Sequence, residues 1–135
     1  MRKYLLHVLI ISFVFLLTPT AHVASYAESE IEFQQERVRN NPDDPNAYVN
    51  LGIAYGRAGK WEKAIESYKK ATWVDSSYAP AYYGLGGAYV KIGDTESALV
   101  QHSMLEGLAD AGAYECRKLA EDLWCWIYPN SWKCD

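Results

Sequence analysis

The chain has little histidine, the residue on which much acid–base and metal chemistry depends. It has three histidines in 135 residues, and two of them, His7 and His22, fall within the first 27 residues. His102 is then the only histidine in the rest of the chain, on what the sequence predicts to be the packed face of a helix. This position favours a hydrogen-bonded core histidine over a catalytic base or a metal ligand.

Other motifs that carry chemistry are missing from the sequence as well. It has no pair of histidines, no glycine-rich phosphate loop and no Cys-x-x-Cys. Glu121 and Asp122 are adjacent carboxylates, but neighbours in a helix point to different faces, which indicates a solvated surface. We therefore expect a chain that is not an enzyme and holds neither a cofactor nor a metal.

Basic residues are outnumbered by acidic ones, at 13 against 17. All 17 Asp and Glu but only 11 of the Lys and Arg lie beyond residue 27, which gives that part a net charge of −6. An acidic surface argues against a nucleic-acid partner, because phosphate binding needs a basic footprint.

The sequence also lacks an apolar run long enough to favour a membrane span. The apolar stretch from Leu5 to Leu17 is short against the roughly twenty residues that cross a bilayer. Arg2 and Lys3 precede it, and Ser25-Tyr26-Ala27 offers small residues where a signal peptidase cleaves. Residues 1–27 are therefore predicted to be a secretory signal, so the chain is exported to the periplasm or outside the cell and keeps no membrane contact. The alternative is an uncleaved anchor that tethers it.

Only three cysteines are present, at positions 116, 125 and 134, and their spacing fits neither zinc nor haem motifs. In an oxidising compartment a disulfide is the favoured use. Cys116 and Cys125 cannot pair across an intact helix, because nine helical residues separate them by about 13.5 Å. The turn at Pro129-Asn130 can return Cys134 to Cys125, so we expect that disulfide and a buried, unreactive Cys116.

The chain does contain a clear internal repeat. Nine of the eighteen residues from Ala47 to Ala64 recur unchanged thirty-four positions later. Apolar residues in each copy fall on one face of two successive helices, with Gly59 and Gly93 between them. Asp44 and Pro45 suit the start of the first helix, and small residues, Gly52 opposite Ala64, allow the two helices to approach closely. Each copy is thus predicted to be a helical hairpin.

These residues resemble the tetratricopeptide repeat family. The first copy carries seven of the family's eight signature residue types, listed here in chain order: Tyr48, Leu51, Gly52, Tyr55, Ala64, Tyr68 and Ala71. The second keeps Tyr82, Leu85, Gly86, Tyr89 and Ala98 but departs at His102, Leu105 and Asp110. The resemblance implies an all-α fold, a short α-solenoid of two hairpins flanked by an N-terminal helix and a C-terminal capping helix.

The resulting division of the chain is as follows. Residues 28–41 form the N-terminal helix, and residues 42–126 form the repeat domain, with repeat 1 over about 45–78, repeat 2 over about 79–112 and the capping helix over about 113–126. Residues 127–135 form a tail with tryptophan and cysteine. Trp124, Trp126 and Trp132 crowd this end, either as a hydrophobic lid or as a docking patch.

The resemblance also implies a function, since proteins of this family generally hold a peptide segment or helix of another protein in the concave groove that their first helices line. Adding the period of thirty-four predicts the lining here as Val49, Ile53, Arg57, Tyr83, Gly87, Lys91, Arg117, Glu121 and Cys125, flanked by Val90 and Trp124. An apolar lining with a basic edge suits a segment with hydrophobic anchors and an acidic group. Tyr83, flanked by Gly84 and Gly87, is expected to be exposed on the groove floor.

Three functions follow in order of preference. The first is an exported, non-catalytic adaptor that binds another protein through the groove. The alternative is a structural module that forms homo-oligomers through the tryptophan-rich C-terminal face. The third is a cysteine-based redox protein.

Overall fold

A computed structural model describes residues 26–112, 114–131 and 134 of the chain, apart from the side chain of Tyr114. Within that part there are six helices and no strand. They are α1 at residues 26–40, α2 at Pro45–Arg57, α3 at Trp61–Val74, α4 at Ala79–Ile92, α5 at Thr95–Asp110 and α6 at Tyr114–Ile127. The predicted all-α solenoid of two helical hairpins, α2–α3 and α4–α5, with a helix on either side is confirmed.

The helix ends follow from local sequence. A carboxylate oxygen of Asp44 accepts a hydrogen bond from the Asn46 amide, and Pro45 occupies the first turn of α2. Asp94 caps α5 in the same way by accepting from the Ser97 amide at 3.0 Å. Gly59 and Gly93 take positive φ values of 71° and 80° between the helices of each hairpin, a conformation that glycine adopts without steric cost.

The N-terminal helix α1 packs on α2 through positions that correspond to those by which α3 packs on α4. Ile31 is buried in the core cluster, as is Ile65 thirty-four positions later. Gln35 donates a hydrogen bond to the Tyr55 hydroxyl at 2.8 Å, and Lys69 lies 5.9 Å from the centre of the Tyr89 ring. These paired contacts show that α1 packs on α2 in the way that α3 packs on α4.

The Tyr68 side chain packs between the two repeats. A Cβ built on Gly52 of α2 would lie 2.5 Å from the Tyr68 ring, and one built on Gly84 of α4 would lie 2.6 Å from it. The ring from α3 therefore fills a space that both glycines leave open. We predicted Ala64 as the close neighbour of Gly52; Ala64 is fully buried, but the atoms that Gly52 makes room for belong to Tyr68.

The last helix departs from the period of thirty-four. Ala81, Leu85 and Ala88 are the residues of α4 that pack on the preceding hairpin, and the corresponding buried residues of α6 are Cys116, Ala120 and Leu123. Each lies thirty-five positions later, because α5 runs to Asp110 and α6 begins at Tyr114. One additional residue turns a helix by about 100°. The side chains of α6 that contact the preceding hairpin are therefore not the ones that a period of thirty-four predicts.

After α6 the chain folds back. The structure joins Cys125 and Cys134 in a disulfide. The Trp124 indole donates to the Ser131 hydroxyl at 3.3 Å, and its ring lies 4.7 Å from that of Tyr128. The tail thus packs on the C-terminal end of the stack.

The predicted signal at residues 1–27 falls outside the described residues except for Tyr26 and Ala27, which belong to α1. The described helices include none that is long and apolar enough to cross a bilayer.

Candidate functional site

The first helices α2 and α4 and the capping helix α6 lie side by side, and their shared surface is the concave face of the stack. Six of the predicted lining residues belong to the corresponding positions of α2 and α4: Ile53, Arg57, Tyr83, Gly87, Val90 and Lys91. Ile53 is 38% exposed, which is unusual for isoleucine, and the two basic side chains are exposed. Tyr83 and Val90 are half-buried.

Trp126 of α6 dominates the described part of this face. Its ring stacks on that of Tyr83 with centroids 6.2 Å apart and an interplanar angle of 24°. It also covers Gly87, where an added Cβ would collide with the indole. Lys91 places its ammonium 5.5 Å from the ring centre, within range of a cation–π interaction. Trp126 remains 42% exposed, so these contacts fix the indole without hiding it.

The environment of Tyr83 is accordingly less open than we expected. Burial, and to a lesser degree the nearby Asp122 carboxylate, raise the pKa of its phenol. Gly84, predicted to leave the ring exposed, faces Tyr68 in the interior instead. Of Gly84 and Gly87, only Gly87 lies beneath the concave face, where the Trp126 ring covers it.

Val49, which we predicted to line the concave face, is buried instead. Val49 is 7% exposed and belongs to the core cluster with Ile31 of α1. Its counterpart Tyr83 remains half-buried, so the two positions of the repeat have different surroundings. A ligand on the concave face cannot reach Val49.

Four more residues of the predicted lining lie on another surface instead. They are Arg117, Glu121, Trp124 and Cys125, which line a cleft between α5 and α6. In that cleft the Trp124 ring lies 5.2 Å from the ring of His102. The rotation of α6 explains this. With a spacing of thirty-five, Gly87 corresponds to Asp122 and Lys91 to Trp126, and these are the residues that sequence reasoning missed.

The remaining candidates for chemistry lie largely in the interior. His102 is buried, with Nδ1 3.5 Å from a carboxylate oxygen of Glu106. Cys116 is a buried free thiol in the core between α4 and α6. No group of three or more metal-binding side chains occurs in the part of the chain that the structure describes.

Comparison with known families matches this architecture. Residues 57–93 match the family described as TPR repeat, and residues 38–66 match Tetratricopeptide repeat. The matched region therefore resembles tetratricopeptide repeats and includes α2, α3 and α4.

Two curated relatives match a short segment of this chain. Over 51 residues, 38% of this chain, it is 43% identical to the probable UDP-N-acetylglucosamine–peptide N-acetylglucosaminyltransferase SPINDLY of Oryza sativa subsp. japonica. The same identity and length are found with the SPINDLY protein of Hordeum vulgare. The match spans 6% and 5% of those two proteins, respectively.

Several solved structures share the fold. The TPR2B domain of yeast Sti1 in complex with pHsp70 has a TM-score of 0.67 and 18% identity, covering 82% of this chain and 99% of that one. PcrH in complex with the chaperone binding region of PopD has a TM-score of 0.67 and 17% identity, covering 89% and 90%. The Sgt2 TPR domain from Aspergillus fumigatus has a TM-score of 0.59 and 24% identity, covering 82% and 80%.

Proposed function

We propose that this chain is a non-catalytic adaptor that binds a peptide segment of another protein on its concave face. The observation that carries the proposal is Trp126, an indole held by Tyr83 and Lys91 yet 42% exposed. A rigid aromatic side chain with a large accessible face is the usual centre of a binding hot spot, because little side-chain entropy is lost when a ligand covers it.

The remaining lining residues indicate the ligand's chemistry. Ile53 supplies a second exposed apolar surface, and Val90 adds to it. Arg57 and Lys91 form a basic edge, but Lys91 is already in contact with Trp126. A segment with apolar or aromatic anchors and one acidic residue directed at Arg57 fits this arrangement.

The comparisons support a protein partner. Two of the similar folds were solved as complexes, one with pHsp70 and one with the chaperone binding region of PopD. The SPINDLY similarity covers only a repeat segment, so no glycosyl transfer is carried over to this chain.

Alanine substitution of Trp126 tests the proposal, with Trp73→Ala as the matched control. Trp73 is 87% exposed on α3, away from the concave face, so both changes remove one exposed indole. A partner is first captured from an envelope extract and its affinity for the purified chain is then measured. Trp126→Ala should weaken binding by about 2 kcal/mol, roughly thirtyfold, while Trp73→Ala leaves it unchanged. Equal binding by both variants, with unchanged helical circular dichroism, rejects the concave face as the binding site.

Self-association through the C-terminal face is the second candidate function. Trp126 and Tyr128 are both exposed at that end, whereas Trp132 lies outside the described residues. Sedimentation velocity over a hundredfold range of concentration separates the two functions. A concentration-dependent dimer that Tyr128→Ala dissociates supports self-association over the adaptor.

We also propose that the chain works outside the cytoplasmic membrane, in the periplasm or extracellularly. The support is the charged start, the short apolar stretch and Ser25-Tyr26-Ala27, together with the Cys125–Cys134 disulfide, which an oxidising compartment preserves. A redox role for the cysteines remains the least favoured reading, and reversible reduction under mild thiol buffers would be its signature.

A further inference from the structure

A second surface, separate from the concave face, lies at the C-terminal end of the stack. Helices α5 and α6 leave an open cleft of about 1180 Å³ between them, here called the end cleft. Its walls include His102, Ser103 and Glu106 from α5 and Arg117, Glu121 and Trp124 from α6.

The end cleft corresponds to the place where a second helix packs elsewhere in the fold. The corresponding repeat positions of α4 are Tyr82, Gly86 and Tyr89, and of these Tyr82 shares a core cluster with Leu105 of α5. With the spacing of thirty-five, these positions become Arg117, Glu121 and Trp124 of α6, all of which line the end cleft. The shape is therefore that of a surface on which a helix packs.

The charges in the end cleft determine which helix it can take. Three carboxylates, Glu106, Asp110 and Glu121, stand against one arginine, Arg117. The Arg117 guanidinium is already 3.7 Å from Asp110. Glu121 also stands at the repeat position of Gly52 in α2, where the Tyr68 ring of α3 packs, so the incoming helix needs a cationic side chain at that position rather than an aromatic ring.

The second helix most readily available, α1 of another copy of this chain, does not meet that requirement. Its acidic side chains outnumber its basic ones, with Glu28, Glu30, Glu32 and Glu36 against Arg37 and Arg39. Like charges placed across an interface suppress association. The charge balance thus favours a helix from a different protein.

We propose that the end cleft binds an amphipathic helix of a partner protein, which places small apolar residues against Ala120 and Trp124 and an Arg or Lys beside Glu106 and Glu121. The bound helix completes a third hairpin with α6. This interaction is independent of the peptide proposed for the concave face, so one chain can join two partners.

A pair of peptides based on α3 tests the proposal, because α3 is the helix that packs on α2 in the complete first hairpin. The probe is a stapled peptide of Trp61–Val74 with Tyr68→Arg, and the matched control carries Tyr68→Glu. Stapling is needed because an isolated helix of 14 residues is marginally stable. Each peptide is titrated into the full chain labelled with ¹⁵N.

The Arg peptide should shift amide resonances of α5 and α6 and bind about tenfold tighter than the Glu peptide. Glu121→Arg in the protein should reverse that preference, whereas Glu62→Arg, a charge reversal on exposed α3, should not. Equal affinities for the two peptides, no binding of either, or shifts confined to Ile53 and Lys91 on the concave face overturn the proposal. Cleft shifts that appear when the free protein alone is concentrated identify a second copy as the occupant and overturn it as well.

Discussion

Replacement of Gly52 by alanine should destabilise the protein even though alanine is the better helix former. The new Cβ would lie 2.5 Å from Cε1 of Tyr68 and 2.7 Å from Cδ1 and Cζ, so the ring has to move by about 1 Å to restore ordinary contact. It cannot move towards α4, because Gly84 packs against the same ring from the other side.

Overpacking of this kind costs about 1–3 kcal/mol, and the gain from replacing a helical glycine offsets about 1 kcal/mol of that. Since the ring is closed in on two sides, we expect a net loss of about 1–2 kcal/mol, or roughly 5–10 °C in melting temperature. Urea unfolding monitored by circular dichroism measures it directly.

Gly107→Ala is the matched control. Gly107 lies within α5, and an added Cβ there meets nothing within 4 Å. That change should raise stability by up to about 1 kcal/mol through helix propensity alone. In a Tyr68→Leu background the penalty of Gly52→Ala should shrink or disappear, because the ring that it strikes is gone. If Gly52→Ala and Gly107→Ala raise the unfolding midpoint alike, Tyr68 does not pack between α2 and α4 as described.

Three further predictions concern pH, thiols and processing. Burial raises the pKa of the Tyr68 phenol from 10.0 to about 12. In the unfolded chain the phenol ionises at a lower pH than in the folded protein. The free energy of unfolding should therefore be unchanged below pH 10 and fall by about 2 kcal/mol as the pH rises to 12. The fall should be smaller in Tyr68→Phe, and an identical pH profile for that variant in urea titrations refutes the assignment. Peptide mapping without reduction should link Cys125 to Cys134 and leave Cys116 resistant to alkylation until unfolding; a Cys116–Cys134 link contradicts the fold of the tail. N-terminal sequencing of the exported protein should begin at or near Glu28, whereas an intact Met1 chain in the membrane fraction identifies an anchor.

Much of the fold could be predicted because the repeat gives the same information twice. The positions of Leu51 and Leu85, and the stops at Gly59 and Gly93, place four helices and their packed faces directly. The packing of Tyr68 between α2 and α4 was harder to predict. Gly52 and Gly84 belong to different repeats, and the pattern within one repeat does not show that both approach the same ring. Sequence spacing reports which face a residue lies on, and it does not report which neighbour fills the space.

The candidate lining residues lie where the period places them in α2 and α4, with the exception of Val49, but not in α6. Ile53, Arg57 and Lys91 lie where the period places them, because α2 and α4 begin thirty-four positions apart. Arg117 and Trp124 were misplaced because α6 begins thirty-five positions after α4. The apolar set Cys116, Ala120, Leu123 and Ile127 was the available signal, since it marks the buried face of α6 without reference to the period. Val49 was misplaced because its burial depends on tertiary surroundings that a repeat pattern does not contain.

The one-residue shift of α6 has a consequence for array length. The number of stacked repeats has no inherent limit, because each hairpin offers the next hairpin the same small residues to pack on. Here the shift places Glu121 at the position that glycine holds in α2 and α4, and a carboxylate there rejects another hairpin of the same sequence type. Extending the array by a second helix of the α3 type after α6 is therefore expected to require Glu121→Gly and a matching change at Arg117. The same side chain that gives the end cleft its charge is therefore also expected to oppose the addition of another hairpin of this type.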